Sequence, residues 1–425
     1  MKFDRLHPRD QLVAIMNRIY HNGMTTLSGG NLSIQDANGD VWITPAGIDK
    51  GRLTPTDMMC VHADGRVDGP HRPSSEFPFH RAIYRRRPDL RAIVHAHPPA
   101  LVAFSTVRQV PDTRIIPRAY RVCGPVGYAP YALPGSEQLG SHIAATFAAG
   151  HDVVILENHG VAAAGASLLD AFQRLETLEF CARTLIRARA LGALAEPPRS
   201  LFDQRHPPLP AFVPPAPGSH AHALRQQIVD VAARACDRQL MISTAGVVSA
   251  RLDEASFLIT PAGHDRRLLA AEDVVLIRSG VREAGKQPSR AARLHQAIYA
   301  AHPDVHCIMG AQCPNATAYA ITAARFDSRT IPESFILLRD VPLVPFETHD
   351  TQPDAVARMA SLRTPVLLLQ NDGILVVGTS VLNAFDRLEV AEFSARALID
   401  TAVLGPLVPI GDVEIRDLKQ AFGLA

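Results

Sequence analysis

Two histidines that end an apolar run are the residues best placed for chemistry in this sequence. His95 and His97 follow Ala-Ile-Val and precede two prolines. Residues two apart on a strand project from the same face, so this spacing places two imidazoles side by side. In a chain with 18 histidines, such a pair alone is more often structural. A carboxylate in Pro-Ser-Ser-Glu76 and a third histidine in Glu-Asn-His159-Gly accompany it, and together they favour a chelating site.

Composition excludes several classes of function. The 425 residues are 47% hydrophobic, enough for two or three domains with full cores. With 43 basic and 42 acidic side chains, we expect neither a nucleic acid nor a membrane surface as partner. The six cysteines form no C-x-x-C pair and are typical of thiols in a reducing compartment. The charged first ten residues do not resemble a signal peptide, so we expect a soluble cytoplasmic protein.

An internal repeat decides the architecture. Residues 73–84 return as 288–299, the segment Ile-Thr-Pro-Ala-Gly at 43–47 returns at 259–263, and Ala-Phe-x-Arg-Leu-Glu at 171–176 returns at 384–389. The chain therefore contains two tandem copies of one fold.

The domain boundaries follow from a proline-rich stretch between the two copies. Six prolines lie between Pro207 and Pro217, which predicts a stiff, extended connector. We predict a first domain at 1–202, the connector at 203–218 and a second domain at 219–425.

Local patterns predict the elements that position these residues. Leu12, Met16 and Ile19 recur at helical spacing, and the Asn38-Gly39 turn predicts a hairpin. Pro-Ser-Ser predicts a helix start with Ser74 or Ser75 as cap and Glu76 in the first turn. His159 lies in a predicted tight turn between two strands, and a long helix follows from Leu168. Helices alternating with hairpin strands indicate a layered α/β domain with a largely antiparallel sheet.

Five motifs in register give the sequence a family resemblance. They are Gly30-Asn31-x-Ser, Thr44-Pro-x-Gly47, Pro-Ser-Ser-Glu76, His95-x-His97-Pro and Asn-His159-Gly. In this order they resemble the class II aldolase and adducin head family, strongly over about 3–195 and in degenerate form over about 220–405. The resemblance implies two tandem three-layer α/β/α domains. For catalytic members it implies a divalent metal, usually zinc, held by three histidines.

The residue types explain what such a centre does. Three imidazoles with an open fourth position are typical of a catalytic metal site. We predict that His95, His97 and His159 bind Zn²⁺, with Mn²⁺, Co²⁺ and Fe²⁺ left open. Such a metal neutralises the charge of an enediolate or enolate, and Glu76 is the predicted acid or base. The alternative is that Glu76 only favours the helix first turn through its charge.

The helix start also predicts anion recognition, because serine hydroxyls and free N–H groups suit phosphate or carboxylate. The resemblance implies that two further loops surround a substrate phosphate. The predicted substrate-binding residues are Gly30, Asn31, Thr44, Gly47, Ser74 and Ser75, with ordinary turn and cap chemistry as the alternative. Lys50, Arg52, His80 and His151 are assigned to the surface or to packing.

The second copy lacks the proposed site. At the positions of Glu76, His95, His97, His159 and Asn31 it has Ala291, Gly310, Gln312, Asp372 and Val247. We predict a non-catalytic domain. Tyr131 matches the family's tyrosine that reaches from a neighbouring subunit to protonate a leaving aldehyde, with simple packing in a loop as the alternative. Its counterpart is Phe346.

These observations and the resemblance predict a metal-dependent lyase that cleaves a carbon–carbon bond next to a carbonyl. The resemblance also implies a homo-oligomer, because family members that form four-fold rings place each active site at a subunit boundary. In a dimer forming a pseudo-four-fold ring with alternating halves, Phe346 would replace Tyr131 at the boundary, which favours a decarboxylase of a hydroxy, keto or aromatic acid over an aldolase of a sugar phosphate. The alternative is a non-catalytic, adducin-like interaction protein.

Overall fold

The computed structural model describes residues 3–198, 207–214, 216 and 218–424. They form two compact units. The first comprises the chain up to Arg114 together with Arg118–Arg183, and the second comprises Ile115–Pro117 together with the chain from Thr184. The predicted boundary at 202 and the first residues of the predicted connector, 203–206, lie outside the described residues.

The first unit contains an eight-stranded sheet in the order β4-β3-β2-β1-β5-β8-β7-β6. Its strands are β1 (Asn31–Gln35), β2 (Val41–Ile43), β3 (Met59–Val61), β4 (Val67–Asp68), β5 (Ala92–Ala96), β6 (Gly127–Ala129), β7 (Val153–Leu156) and β8 (Gly160–Gly165). Every neighbouring pair is antiparallel except β6 and β7. The predicted hairpin is confirmed as β1–β2.

Helices cover the sheet on both sides, which gives the predicted three-layer α/β/α arrangement. They are α1 (Pro8–His21), α2 (Phe77–Arg86), α3 (Pro99–Thr106), α4 (Pro117–Cys123), α5 (Glu137–Ala148) and α6 (Leu168–Arg189). Leu12, Met16 and Ile19 of α1 are fully buried, as their spacing predicts. Phe79 and Ile83 of α2 pack with Ile143 and Phe147 of α5 in one core cluster. All five residues of β5 are buried, because helices on both faces exclude water from a central strand.

The second unit repeats this plan with nine strands in the order β15-β16-β17-β14-β10-β11-β12-β13-β9. The strands are β9 (Ala211–Phe212), β10 (Val247–Arg251), β11 (Ser256–Ile259), β12 (Val275–Arg278), β13 (Val281–Glu283), β14 (Cys307–Ala311), β15 (Leu343–Val344), β16 (Val366–Leu369) and β17 (Gly373–Gly378). The helices are α7 (Ser219–Asp237), α8 (Ala292–Ala301), α9 (Pro314–Ala320), α10 (Pro332–Leu338), α11 (Phe346–Thr351), α12 (Pro353–Met359), α13 (Val381–Thr401) and α14 (Asp412–Ala421).

Strand register confirms the duplication residue by residue. Asn31 lies opposite His95 between β1 and β5, and Val247 lies opposite Gly310 between β10 and β14. The positions compared in the two copies are therefore structural equivalents.

Part of the predicted connector is a folded element. Ala211–Phe212 forms β9, which pairs in parallel with β13. The N–H groups of Arg282 and Ala284 donate to the carbonyls of Pro210 and Phe212. This stretch therefore adds an edge strand to the second sheet.

Two further sequence observations have structural counterparts. All six cysteines are free and buried. Among the described helices, none combines the length and apolar character that crossing a bilayer requires.

Candidate active site

The three predicted ligand histidines converge in the first unit. His95 belongs to β5, His97 follows its end, and His159 lies in the turn between β7 and β8. The Nε2 atoms of His95 and His97 are 3.1 Å apart. Ring centroids are 4.9 Å apart for His95–His97 and His95–His159, and 5.1 Å for His97–His159. One ligand nitrogen from each ring lies within 4.8 Å of the others.

Two glycines allow this convergence. A Cβ on Gly160 would lie 2.6 Å from the carbonyl oxygen of Ala96, and a Cβ on Gly30 would lie 2.7 Å from that of His95. Gly30 also has a φ of +71°, which favours glycine. The close backbone approach brings the His159 turn and the Asn31 strand against β5.

Glu76 points into the same site. It is the N-cap residue of α2 and its side chain makes no capping hydrogen bond, which corrects its predicted place in the first turn. Its Oε2 accepts a hydrogen bond from Asn31 Nδ2 at 2.7 Å and lies 3.2 Å from His95 Nε2. Its Oε1 lies 3.5 Å from His159 Nε2 and is buried without a hydrogen-bond partner. The carboxylate therefore faces the imidazoles.

Burial and charge set the protonation of this cluster. Although burial raises the pKa of Glu76, the neighbouring His95 and His159 hold that pKa well below its usual range. Burial lowers the pKa of His97 to about 3 and that of His159 to about 4. His97 and His159 are therefore neutral near pH 7, the form that binds metals. Although burial lowers the pKa of His95, the adjacent Glu76 carboxylate raises that pKa above its usual value.

This donor set fits a divalent metal. The Nδ1 atom of His95 lies 2.9 Å from the carbonyl oxygen of Val161, an outer contact that fixes Nε2 toward the cluster. A buried carboxylate oxygen without a partner is costly, and Glu76 Oε1 is such an atom beside three converging nitrogens. The arrangement matches a catalytic site of three protein ligands with an open position.

A buried chain of hydrogen bonds, which we call the polar relay, connects Glu76 through Asn31 to His80, Ser33 and Tyr84. His80 Nε2 lies 2.5 Å from Asn31 Oδ1, and Ser33 Oγ lies 2.7 Å from both His80 Nδ1 and the Tyr84 hydroxyl. His80 is therefore buried within the support of the site, a connection that sequence reasoning missed. The available signal was its spacing of four residues after Glu76 on a helix, which puts both on one face.

The second copy keeps this relay only in part. Ser249 Oγ lies 2.7 Å from His295 Nδ1 and 2.8 Å from the Tyr299 hydroxyl. The counterpart of Asn31 is Val247, and His295 Nε2 is buried with no hydrogen-bond partner. The contacts among Ser249, His295 and Tyr299 thus form without a neighbouring ligand cluster. In the first copy, Asn31 connects the equivalent residues to Glu76.

Replacing Asn31 by valine is expected to destabilise the protein by about 1–3 kcal/mol, because it leaves buried polar atoms of Glu76 and His80 unpartnered. Denaturant titration of the full chain measures this change. The reciprocal control, Val247→Asn, offers His295 an acceptor but leaves its own amide without a carboxylate, since Ala291 replaces Glu76. We expect this control to change stability by less than about 1 kcal/mol. Equal effects of the two variants would contradict the relay.

The two predicted anion-binding segments lie side by side. Pro45 and Pro73 form an isolated β-bridge, and the N–H of Ser74 donates to the carbonyl of Thr44 at 3.3 Å. The Thr44 hydroxyl accepts from the N–H of Leu32 and the Ser74 hydroxyl from that of Glu76. These two side chains are therefore engaged internally, as is that of Asn31. Gly30, Gly47 and the exposed Ser75 leave backbone groups and a hydroxyl for a ligand.

Lys50, assigned to the surface or to packing, is buried behind the Thr44–Gly47 turn. Its Nζ donates to the carbonyl of Pro45 at 2.5 Å, and burial lowers its pKa to about 8. In the second copy Arg266 donates to Pro261 in the same way. A cation beneath this turn thus recurs in both units.

Tyr131 does not join the cluster. Its side chain is 54% exposed, and its N–H donates to Glu157 at 3.0 Å. The counterpart Phe346 is buried, with its N–H donating to Gln370 at 3.0 Å. The second copy therefore retains the backbone N–H contact of this position but has no exposed phenol there.

Glu179 of α6 anchors the helix that follows His97. It accepts hydrogen bonds from the N–H groups of Ala100 and Leu101 at 3.3 and 3.1 Å. Glu392 accepts the equivalent bonds from Asn315 and Ala316. Burial raises the pKa of Glu179 to about 7.

Glu179→Gln is expected to change how stability depends on pH. Because the folded-state pKa of about 7 exceeds the ordinary value of 4.5, the proton on Glu179 stabilises the fold below about pH 4.5, and this contribution is lost as pH rises through 7. Unfolding free energies of wild type and variant, measured from pH 4.5 to 8, should diverge by on the order of 3 kcal/mol, with the wild type losing more. Parallel curves would contradict a raised pKa.

The corresponding place in the second unit has no metal-binding set among its aligned residues. Gln312 Nε2 lies 3.5 Å from Asp372 Oδ1, and Gly310 replaces His95. Only the first unit therefore carries the three-histidine cluster.

The α/β/α domain thus brings three imidazoles and a facing carboxylate together, the donor set typical of a catalytic metal site. The family model of the class II aldolase and adducin N-terminal domain matches residues 10–186 and again 226–399. The chain belongs to this family, as a tandem duplication.

Curated relatives of this chain are decarboxylases and aldolases. A 3-oxo-tetronate 4-phosphate decarboxylase of Escherichia coli is 32% identical over 44% of this chain and 93% of its own length. A 5-deoxy-D-ribulose 1-phosphate aldolase of Bacillus thuringiensis is 33% identical over 43% of this chain and 86% of its own length. A solved L-fuculose 1-phosphate aldolase matches 46% of this chain and 92% of that chain, at 30% identity and a TM-score of 0.42. The chain is a class II aldolase-family lyase.

Proposed function

We propose that the first half is a metal-dependent lyase that cleaves a carbon–carbon bond next to a carbonyl. The observation that carries this proposal is the convergence of His95, His97 and His159 on the unpartnered Oε1 of Glu76. A purely structural role would leave that buried oxygen unsatisfied. The non-catalytic, adducin-like alternative gives no reason for this convergence.

His95, His97 and His159 would hold the metal. Zn²⁺ is favoured by three imidazole ligands, although Mn²⁺, Co²⁺ and Fe²⁺ accept the same ligands. When bound, the metal would stabilise negative charge that develops on the substrate carbonyl oxygen.

Glu76 is the proposed proton-transfer group. Asn31 holds its Oε2, so Oε1 is the atom free to exchange a proton with the substrate. The relay through His80 and Ser33 fixes the orientation of Asn31. A positioned acid or base of this kind contributes about 10²–10⁴ to a rate.

The substrate we propose is a small phosphorylated molecule. The relatives named above act on phosphorylated compounds. In this chain, the adjacent Thr44–Gly47 and Pro73–Ser75 segments offer turn N–H groups and the Ser75 hydroxyl, with the Lys50 cation beneath them. Backbone donors and a nearby cation suit a phosphate.

Decarboxylation is the preferred reaction, and aldol cleavage is the second candidate. We propose a cytoplasmic homo-oligomer, built as a pseudo-four-fold ring of a dimer or larger, in which the second half is non-catalytic. In a ring with alternating halves, the buried Phe346 would take the boundary position of Tyr131. Decarboxylation needs no proton donor for a leaving aldehyde.

The test is a screen of metal-loaded full-length protein against phosphorylated ketoses and phosphorylated 3-oxo acids. Aldehyde and carbon dioxide are followed separately. We expect carbon dioxide release from a phosphorylated 3-oxo acid. Aldehyde release alone would select the aldolase candidate. Less than half an equivalent of bound metal after gentle preparation would favour the non-catalytic alternative.

A further inference from the structure

A second group of potential metal ligands lies on the outer strands of the first sheet. Cys60 in β3 pairs across the ladder with Trp42 and Asp68, and His62 is two residues beyond it. Residues opposite one another or two apart share a face. Asp40, Cys60 and His62 each offer a ligand atom, and these three atoms lie within 4.8 Å of one another.

We propose that Asp40, Cys60 and His62 bind a transition metal of the Zn²⁺ type, at a site separate from the three-histidine cluster. Two ligands about 2.0–2.3 Å from one tetrahedral zinc ion lie roughly 3.3–3.8 Å apart. The observed separations therefore need only small side-chain rotations. A thiolate with an imidazole favours zinc and related ions over magnesium or calcium.

Contacts around His62 match those of a ligating histidine. Its Nδ1 lies 2.9 Å from Asp40 Oδ2, and its Nε2 lies 2.8 Å from Asp68 Oδ2. With Nδ1 as ligand, Nε2–H donates to Asp68, the outer carboxylate contact that commonly orients a metal-bound histidine. Asp40 Oδ1 accepts the N–H of Ala63 at 3.0 Å, which holds the carboxylate with Oδ2 toward His62; Oδ2 also accepts from Asn38 at 3.0 Å.

Cys60 supplies the independent observation. It is only 2% exposed, and its Sγ is close to both the Asp40 and the His62 ligand atoms. No hydrogen bond of this thiol occurs among the described contacts, whereas the buried Cys123, Cys181 and Cys313 each contact a carbonyl oxygen. A sulfur atom within 4.8 Å of a carboxylate oxygen and an imidazole nitrogen completes a set of ligand types that zinc binds.

The duplicated domain shows that this cluster is not required by the strands themselves. In the second copy the register places Ser256, Leu276 and Arg278 at the positions of Asp40, Cys60 and His62, and Glu283 at that of Asp68. The same three antiparallel strands form without a thiol or an imidazole at these positions. The cluster is thus specific to the first unit.

Cobalt substitution of the metal-free, full-length protein tests the proposal. Thiolate-bound Co²⁺ has an intense near-ultraviolet charge-transfer band, which a site of three histidines does not give. We expect two equivalents of Co²⁺ and this band in the wild type. Cys60→Ser and Asp40→Asn should each lose one equivalent and the band, whereas His97→Ala should lose one equivalent and keep the band.

Wild-type protein that binds Co²⁺ without the band would overturn the proposal, as would a band that persists in Cys60→Ser. Two variants, Cys60→Ser and Asp40→Asn, are used so that a folding defect in one of them does not decide the test. Circular dichroism checks that both are folded. If the three-histidine site does not bind metal, the protein binds one equivalent of Co²⁺ fewer but keeps the charge-transfer band. This result is therefore distinguishable from failure of the Asp40, Cys60 and His62 site.

Discussion

Replacing His97 by alanine is expected to abolish metal binding at the three-histidine site and to lower kcat/KM by at least about 100-fold, more than the usual loss of an outer-shell partner. The reason is geometric. His97 Nε2 lies 3.1 Å from His95 Nε2, so its removal leaves two imidazoles where a catalytic site uses three protein ligands. Metal analysis by mass spectrometry and steady-state kinetics on the substrate found in the screen measure both effects.

Two control variants separate this effect from general damage. His21→Ala removes an exposed histidine at the end of α1, and Gln312→Ala changes the counterpart of His97 in the second copy. Both should keep the metal and the activity. Full activity of His97→Ala, or equal losses in Gln312→Ala, would contradict the assignment of the site to the first half.

Glu76→Gln is expected to keep the metal and lower kcat by about 10²–10⁴, the contribution of a positioned acid or base. The amide retains the shape of the side chain and can still accept from Asn31, but it cannot take up a proton at the Oε1 position. Metal content, kcat and KM should be measured together, because the expected loss lies in kcat.

The control for this variant is Glu137→Gln. Glu137 is an exposed acidic residue in the first turn of α5, the role that the alternative interpretation gave to Glu76. The Glu137→Gln variant should have wild-type kcat. If Glu76→Gln also turned over at the wild-type rate, the carboxylate would have no part in proton transfer.

The fold was predictable from sequence because its signals are local and repeated. The apolar spacing of α1, the Asn38-Gly39 turn and the duplication each correspond to a described element. The predicted connector shows the limit of such signals. Its prolines indicate an extended chain correctly, but pairing of Ala211–Phe212 with β13 depends on a strand distant in sequence.

The residues of the candidate site could be predicted from the sequence, but the hydrogen bonds that connect them could not. His95 and His97 have a spacing that places them together, whereas the contact of His80 with Asn31 crosses from a helix to a strand. Lys50 was assigned to the surface or to packing because lysine is usually exposed, and its burial follows from the fold of the turn above it. Side chains such as Thr44 hold backbone groups, which residue type alone does not distinguish from ligand binding.

The Ser249–His295–Tyr299 contacts persist in a copy whose His295 Nε2 is unsatisfied. The second half therefore keeps a buried imidazole nitrogen without a partner, although Val247 and Ala291 supply neither the amide nor the carboxylate found in the first half. Comparison of the two copies thus distinguishes the contacts that both units retain from those found only beside the three-histidine cluster. An engineer transferring the support of Glu76 to the second half would begin with the missing amide at Val247, since the hydroxyl, imidazole and phenol are already in place.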